Sequence, residues 1–304
     1  MAKVCFFGMD SAFSVRALRA LLASPQEIVA VVRPKGGRET RREQTCVRER
    51  APRGRRSLDD DTADLARVAH AHGVPLFTVG DASQESVVRV VRDARAERGA
   101  IAFFNQLLRP ALLDALPGGV VNAHPSLLPL LRGPAPLFWT YREQHEESGL
   151  TVHRVTPRED DGDVVAQERM PLAFGTPGEH HVRALGERVG PLLARALAAL
   201  DDGSASPAPQ DPARATRAPR PTERDLVVDR ALGARRIFHF VRGFGRFQPL
   251  VVELGDARCR VIDAIDLDTE REVPGGDHAI VGDALLLACR PGVVVLRIDP
   301  AQPA

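Results

Sequence analysis

The opening stretch of the chain leaves it few folds. Residues 3–7 form a short run, apolar from Val4 to Phe7 and closed by Gly8, and residues 28–32 are a second such run followed by Pro34. Between them, Ser11 stands where a helix cap belongs, and Phe13, Ala17, Leu18, Leu21 and Leu22 recur at helical spacing. A short continuous apolar run bounded by turn residues suits a strand buried on both faces. Strand, helix and strand joined this tightly form a βαβ unit, which dictates parallel strands and a right-handed crossover. The pattern continues with helices over 61–71 and 85–96 and strands over 75–79, 101–104 and 119–121. It predicts an α/β fold with a doubly wound, mostly parallel, Rossmann-like sheet.

Further on, residues 179–200 carry apolar side chains at helical spacing, after which the composition changes. Gly203, Ser204, Ser206 and prolines 207, 209, 212, 219 and 221 read as a semi-rigid, solvated linker. Beyond it lie an arginine-rich helical segment at 228–241 and strand-like runs at 250–254, 259–265, 284–289 and 293–298. These predict a smaller C-terminal β-barrel of the OB-like kind. The expected domains are 1–202, a Pro-rich linker at 203–223, and a β-rich domain at 224–304, a division that suits 304 residues.

Charge excludes one class at once. With 41 basic and 40 acidic residues, the net charge of +1 rules out a generic polycation. Locally the balance differs: residues 33–56 hold ten basic side chains against three acidic, and residues 211–250 hold nine arginines against four acids. An arginine-rich, glycine-containing loop can track phosphates, so contact with nucleic acid is expected there. Cys5, Cys46, Cys259 and Cys289 share no metal-type spacing and read as reduced thiols of a cytoplasmic chain. No leader pattern opens the sequence, and no run approaches the ~20 apolar residues of a membrane span. No metal site is expected, since His70, His72, His180 and His181 lack partners at ligand spacing and read as surface or helix-end residues. Phe138, Trp139 and Tyr141, at helical spacing, read as core.

The chemistry concentrates between residues 120 and 133. Side chains two apart share a strand face, so Asn122 and His124 project together, and Pro125 places them at the strand's carboxyl end. Ligands of open α/β sheets bind at that end. An amide beside an imidazole can polarise a carbonyl and move a proton as the carbon turns tetrahedral. Asn122 is one of only two asparagines, the other being Asn105. The acidic loop at 158–163 could supply a carboxylate to orient His124 and favour its imidazolium. Taken without context, the pair reads equally well as a strand end with a core histidine, and the loop as a solvated turn.

Together these residues resemble the folate-dependent formyltransferase family. The resemblance rests on Phe6 through Ser14, on Asn122, His124, Ser126, Leu127, Leu128 and Pro129 followed by Arg132 and Gly133, and on the segment from Gly149 to Asp163. It implies a catalytic trio of Asn122, His124 and Asp160, with a slip to Asp161 left open. It implies transfer of a formyl group from 10-formyltetrahydrofolate to a primary amine, that of methionyl-tRNA first. Formylation of a small amine, such as a nucleotide-linked amino sugar, is the alternative, and a silent folate- or RNA-binding paralogue a third. The folate wall it implies comprises Phe103, Phe104, Asn105, Gln106 and Leu107, residues 126–129, and Asp161, Gly162 and Asp163. Arg38, Arg41, Arg42 and Arg132 are the implied contacts to the acceptor. The sequence departs from the family around 34–56 and at 103–110, where the acceptor and the folate ring would be met.

Overall fold

A computed structural model describes residues 1–35, 46–49, 64–270, 273 and 276–299. Arg38, Arg41 and Arg42, with most of the basic loop, lie outside the described residues. The contacts gather into two compact units: Met1–Arg132, Gly149–Arg169 and Arg183–Thr216 form the first, and Gly133–Ser148, Met170–Val182 and Arg217–Ala304 the second.

Most of the elements up to residue 202 build the first unit. They are β1 (Lys3–Gly8), α1 (Ala12–Leu22), β2 (Glu27–Pro34), β3 (Cys46–Arg48), α2 (Leu65–Ala71), β4 (Leu76–Val79), α3 (Glu85–Asp93), β5 (Arg98–Ala102), α4 (Pro110–Asp114) and β6 (Val120–His124). After α5 (Pro136–Arg142), which clusters with the second unit, come β7 (Glu147–Arg154), β8 (Val164–Pro171) and α6 (Gly178–Asp202). The strands order as β3-β4-β2-β1-β5-β6-β7-β8. β1 pairs in parallel with β2 and β5, β2 with β4, and β5 with β6, while β3 runs antiparallel to β4 and β7 to β6. This is the doubly wound, mostly parallel sheet the sequence predicts. Ser11 does cap α1, its hydroxyl accepting from the Ser14 N–H.

Alternation along β1 shows how the two faces are filled. Cys5 and Phe7 join Val87, Val88 and Val91 of α3 and Leu112 of α4 in one buried cluster. Val4 and Phe6 point to the opposite face and are equally buried. On α6, Gly190 permits close approach to α1, because a Cβ there would sit 2.4 Å from that of Ala20. β3 and α4 are too short in sequence to announce themselves, and β8 alternates half-buried and exposed positions along a polar edge.

The second unit is built on α5, α7 (Gly233–Phe244) and the strands β9 (Leu250–Leu254), β10 (Ala257–Asp268), β11 (His278–Val281), β12 (Ala284–Ala288) and β13 (Val293–Ile298). The strands form one antiparallel sheet ordered β11-β12-β13-β10-β9, curled into a half-barrel. Its core joins Phe138 and Tyr141 of α5 to Ile237, Phe240 and Val241 of α7 and to Leu250, Val261, Leu285 and Leu296 of the strands. Phe138 meets the rings of Phe240 and Phe244 edge-on at 5.4 and 4.9 Å, and such pairs add ~1 kcal/mol each to the burial of the ring. Gly243 is obligatory here, since a Cβ would come 1.9 Å from the Tyr141 ring. His181, read from the sequence as a surface or helix-end residue, does lie in the first turn of α6 but is buried. Ser148 holds it there, the Oγ–Nε2 distance being 2.7 Å.

The division of the chain therefore differs from a cut at residue 202. Segments 133–148 and 170–182 belong with the second unit because their apolar side chains, Phe138, Tyr141 and Leu172, complete its core. The proline-rich stretch is also no free spacer over its length. Ala208 bridges to Val164 through two backbone hydrogen bonds of 2.8 and 2.9 Å, and Asp211 caps a 3-10 turn at Pro212–Arg214. Among the described residues, no helix is long and apolar enough to cross a membrane.

Candidate active site

All the residues of this site lie in the first unit. The parallel register of β5 and β6 sets Ile101 beside Asn122 and Ala102 beside Ala123, so both strands deliver their next residues to one edge of the sheet. The antiparallel register of β6 and β7 puts His153 directly opposite Asn122 and Thr151 opposite His124. The loop that follows β7 brings Asp160 back over this edge.

The three sequence-predicted residues Asn122, His124 and Asp160 converge. Asn122 Nδ2 donates to Asp160 Oδ1 at 3.4 Å, and His124 Nδ1 lies 3.6 Å from Asp160 Oδ2. Of the two candidate carboxylates, Asp160 is the one that faces the imidazole, whereas Asp161 turns to Arg158 and the Thr156 hydroxyl. Asp160 reaches this position with φ of +52°, a left-handed conformation that aspartate tolerates better than most side chains. The loop closes tightly: a Cβ at Gly162 would sit 2.0 Å from the Arg154 carbonyl oxygen.

His124 is 4% exposed, and each ring nitrogen has its own partner. The Leu131 carbonyl, 3.0 Å from Nε2, can only accept, so Nε2 carries a proton and Nδ1 faces Asp160. Burial holds the His124 pKa below the ordinary histidine value, and the neighbouring His153 adds to this. Asp160, the Leu131 carbonyl and Glu159 oppose it by favouring the imidazolium. The imidazole is thus neutral at rest but faces a carboxylate ready to stabilise its charge.

His153 is a site residue that the sequence reading missed. Its Nδ1 lies 2.9 Å from the Arg154 carbonyl oxygen, so in the neutral ring Nδ1 holds the proton and Nε2 accepts from Asn122 Nδ2 at 3.1 Å. It is 2% exposed and fixes which way the Asn122 amide points. Only the cross-strand register could have revealed it, because 31 residues separate it from Asn122.

The expected folate wall divides into two groups. Phe103, Asn105 and Leu107 are exposed, Phe103 with φ of +60°, and they follow the carboxyl end of β5. Phe104 instead packs edge-on against Phe7 at 5.7 Å, and Gln106 clamps the neighbouring loop through Ala82 N–H and the Gly80 carbonyl. Ser126, Leu127 and Leu128 are buried, and Pro129 is partly so. Thr151 supports them, donating to the Ser126 carbonyl at 2.7 Å and accepting from Leu128 N–H at 3.1 Å. Asp163 accepts from Arg154 N–H through its carbonyl at 2.9 Å. Arg132, expected to meet the acceptor, donates to the side-chain oxygen of Gln210. No group of three or more His, Cys, Asp or Glu residues that could hold a metal occurs among the described residues.

Residues 9–189 match the model of the formyl transferase family. The chain belongs to this family. It is 30% identical to methionyl-tRNA formyltransferase of Anaeromyxobacter dehalogenans over 99% of its own length and 95% of that relative. A second relative of the same name, from Heliobacterium modesticaldum, is 30% identical over 98% of this chain and 92% of its own. Among solved structures, the sugar N-formyltransferase WlaRD superposes with a TM-score of 0.68 at 15% identity, covering 100% of this chain and 99% of that one. The N-formyltransferase of Helicobacter canadensis gives 0.66 at 14% identity, over 98% and 99%. These two structures share the fold, including the C-terminal domain, and the enzyme is a formyltransferase by family.

Proposed function

We propose that the enzyme transfers the formyl group of 10-formyltetrahydrofolate to the amino group of methionyl-tRNA in the cytoplasm, with the first unit carrying the catalytic site. The observation that carries the transfer chemistry is the convergence of Asn122, His124 and Asp160 at the carboxyl edge of the sheet. The neutral amine attacks the formyl carbon, and its oxygen becomes an oxyanion. Asn122 Nδ2 is the donor for that charge, since its 3.4 Å bond to Asp160 is long enough to be exchanged for a better one. His124 can act only through Nδ1, since the Nε2 proton is committed to Leu131; in the neutral ring Nδ1 is unprotonated and can accept the proton given up by the amine. As the bond from carbon to the folate nitrogen breaks, the proton lost by the amine passes to that nitrogen. Asp160 holds the imidazole and can relay the proton through water. Exposed Phe103 and Leu107 offer an apolar surface for a flat pteridine ring beside this edge.

Support for methionyl-tRNA comes from the relatives that carry this name over nearly the whole chain, and from the basic surplus at 33–56. A second reading, formylation of a nucleotide-linked amino sugar, is supported by WlaRD, a sugar 3N-formyl transferase, and by the Helicobacter enzyme, solved in complex with dTDP-3-aminofucose. One assay separates them: tetrahydrofolate release with charged initiator tRNA, run beside a panel of small amines. Turnover that requires the tRNA and falls steeply with salt supports the first reading; turnover with an amino sugar alone refutes it. Loss of tetrahydrofolate release in Asn122→Ala, His124→Ala and Asp160→Ala supports the trio, and full activity in all three sinks it.

A further inference from the structure

We infer that Gln210, in the proline-rich segment, is a positioning residue that sets the distance between His124 and Asp160. This rests on the catalytic reading of that pair. Gln210 Nε2 donates to the Asp160 carbonyl at 2.9 Å and to the Gly162 carbonyl at 2.7 Å. Its Oε1 accepts from Arg132 Nε at 3.0 Å and from Arg132 Nη2 at 2.8 Å. Both amide hydrogens and both oxygen lone pairs are therefore used, a set that no other side chain supplies at this length.

The two loops joined in this way are the ones that hold the two sides of the His124 ring. Leu131, next to Arg132, presents its carbonyl to Nε2, and Asp160 presents its carboxylate to Nδ1. Leu131 and Asp160 both have left-handed backbones, with φ of +60° and +52°, so neither loop would keep its shape without external support. A few residues on, Thr216 adds to the brace. Its Oγ1 accepts from Leu131 N–H at 2.8 Å, its carbonyl from Arg132 N–H at 3.0 Å, and its own N–H donates to the Pro129 carbonyl at 3.3 Å. Ala208, paired with Val164 on β8, anchors the near end of this strap. Residues 208–216, which look like a spacer in sequence, thus build the back wall of the site.

The test uses the full chain with Gln210→Leu and Gln210→Glu beside wild type and Asp160→Asn. Leucine removes all four bonds, whereas glutamate keeps acceptance from Arg132 and loses donation to the two carbonyls. The expected result in both is a fall in kcat on the order of 100-fold, from displacement of Asp160, with folate KM changed much less. A second readout is the pH profile. The groups facing His124 are Asp160, His153, Glu159 and the Leu131 carbonyl. Withdrawing Asp160 removes the main influence raising the imidazole's pKa, so the limb governed by His124 moves to lower pH. Wild-type kcat and an unmoved limb in Gln210→Glu, with Asp160→Asn inactive, would overturn this role while leaving the catalytic reading intact. So would loss of turnover that merely tracks loss of folded protein in both variants. Wild-type activity in Asp160→Asn would instead remove the catalytic reading itself.

Discussion

Mild acid should unfold the second unit through two buried histidines. His239 Nδ1 accepts from Gly175 N–H at 3.1 Å, so the ring must be neutral with its proton on Nε2, and that nitrogen is buried without a hydrogen-bond partner. His181 is fixed by Ser148 at Nε2, and its Nδ1 is likewise buried and unpartnered. Burial lowers both pKa values to about 4, with His239 adding to the effect on His181 and Arg235 to that on His239. A lowered pKa means that the unfolded chain binds more protons between pH 6.5 and 4, so stability is full above about 6.5 and is lost as pH falls through that window. At about pH 5 each histidine removes roughly 2 kcal/mol, a large share of a domain's net stability. Carboxylates titrate lower, so between about pH 6.5 and 5 the histidines dominate. The assay is built into the chain: Trp139 is the only tryptophan and lies in α5 of this unit. Urea unfolding followed by its fluorescence should give a midpoint that drops between about pH 7 and pH 5. The drop should shrink by about half in His239→Gln. A midpoint independent of pH over this range would refute the reasoning.

Other perturbations have equally definite outcomes. Gly243→Ala drives a methyl group into the Tyr141 ring at 1.9 Å, and should destabilise the second unit by about 3 kcal/mol in the same fluorescence assay. Gly162→Ala meets the Arg154 carbonyl at 2.0 Å and must push the Asp160 loop outward; kcat should fall by about 100-fold while the far-ultraviolet spectrum stays native. His153→Leu frees the Asn122 amide to rotate, with an expected loss of about tenfold in kcat and little change in melting temperature.

Much of the first unit was legible because its strands are continuous apolar runs and its helices show clear periodicity, as in residues 4–7 and in α1. The helix cap at Ser11 and the ends of β9 and β13 could be read almost residue by residue. What escaped had no local signature. β8 carries Gln167, Glu168 and Arg169 along a polar edge, and β11 is only four residues long. The same holds for the site. Asn122 and His124 stand two apart on one strand, which suffices to place them together, and the order of motifs then narrows the carboxylate to Asp160 or Asp161. His153 and Gln210 act through long-range register, and an exposed-looking glutamine among prolines gives no hint that four hydrogen bonds await it.

The mixed membership of the second unit has a consequence for synthesis. Phe138 and Tyr141 leave the ribosome well before Phe240 and the strands that cover them. Until the last strands emerge, α5 must wait with its aromatic face in water, a state prone to association with other apolar surfaces. A gene truncated after residue 202 would make that waiting state permanent.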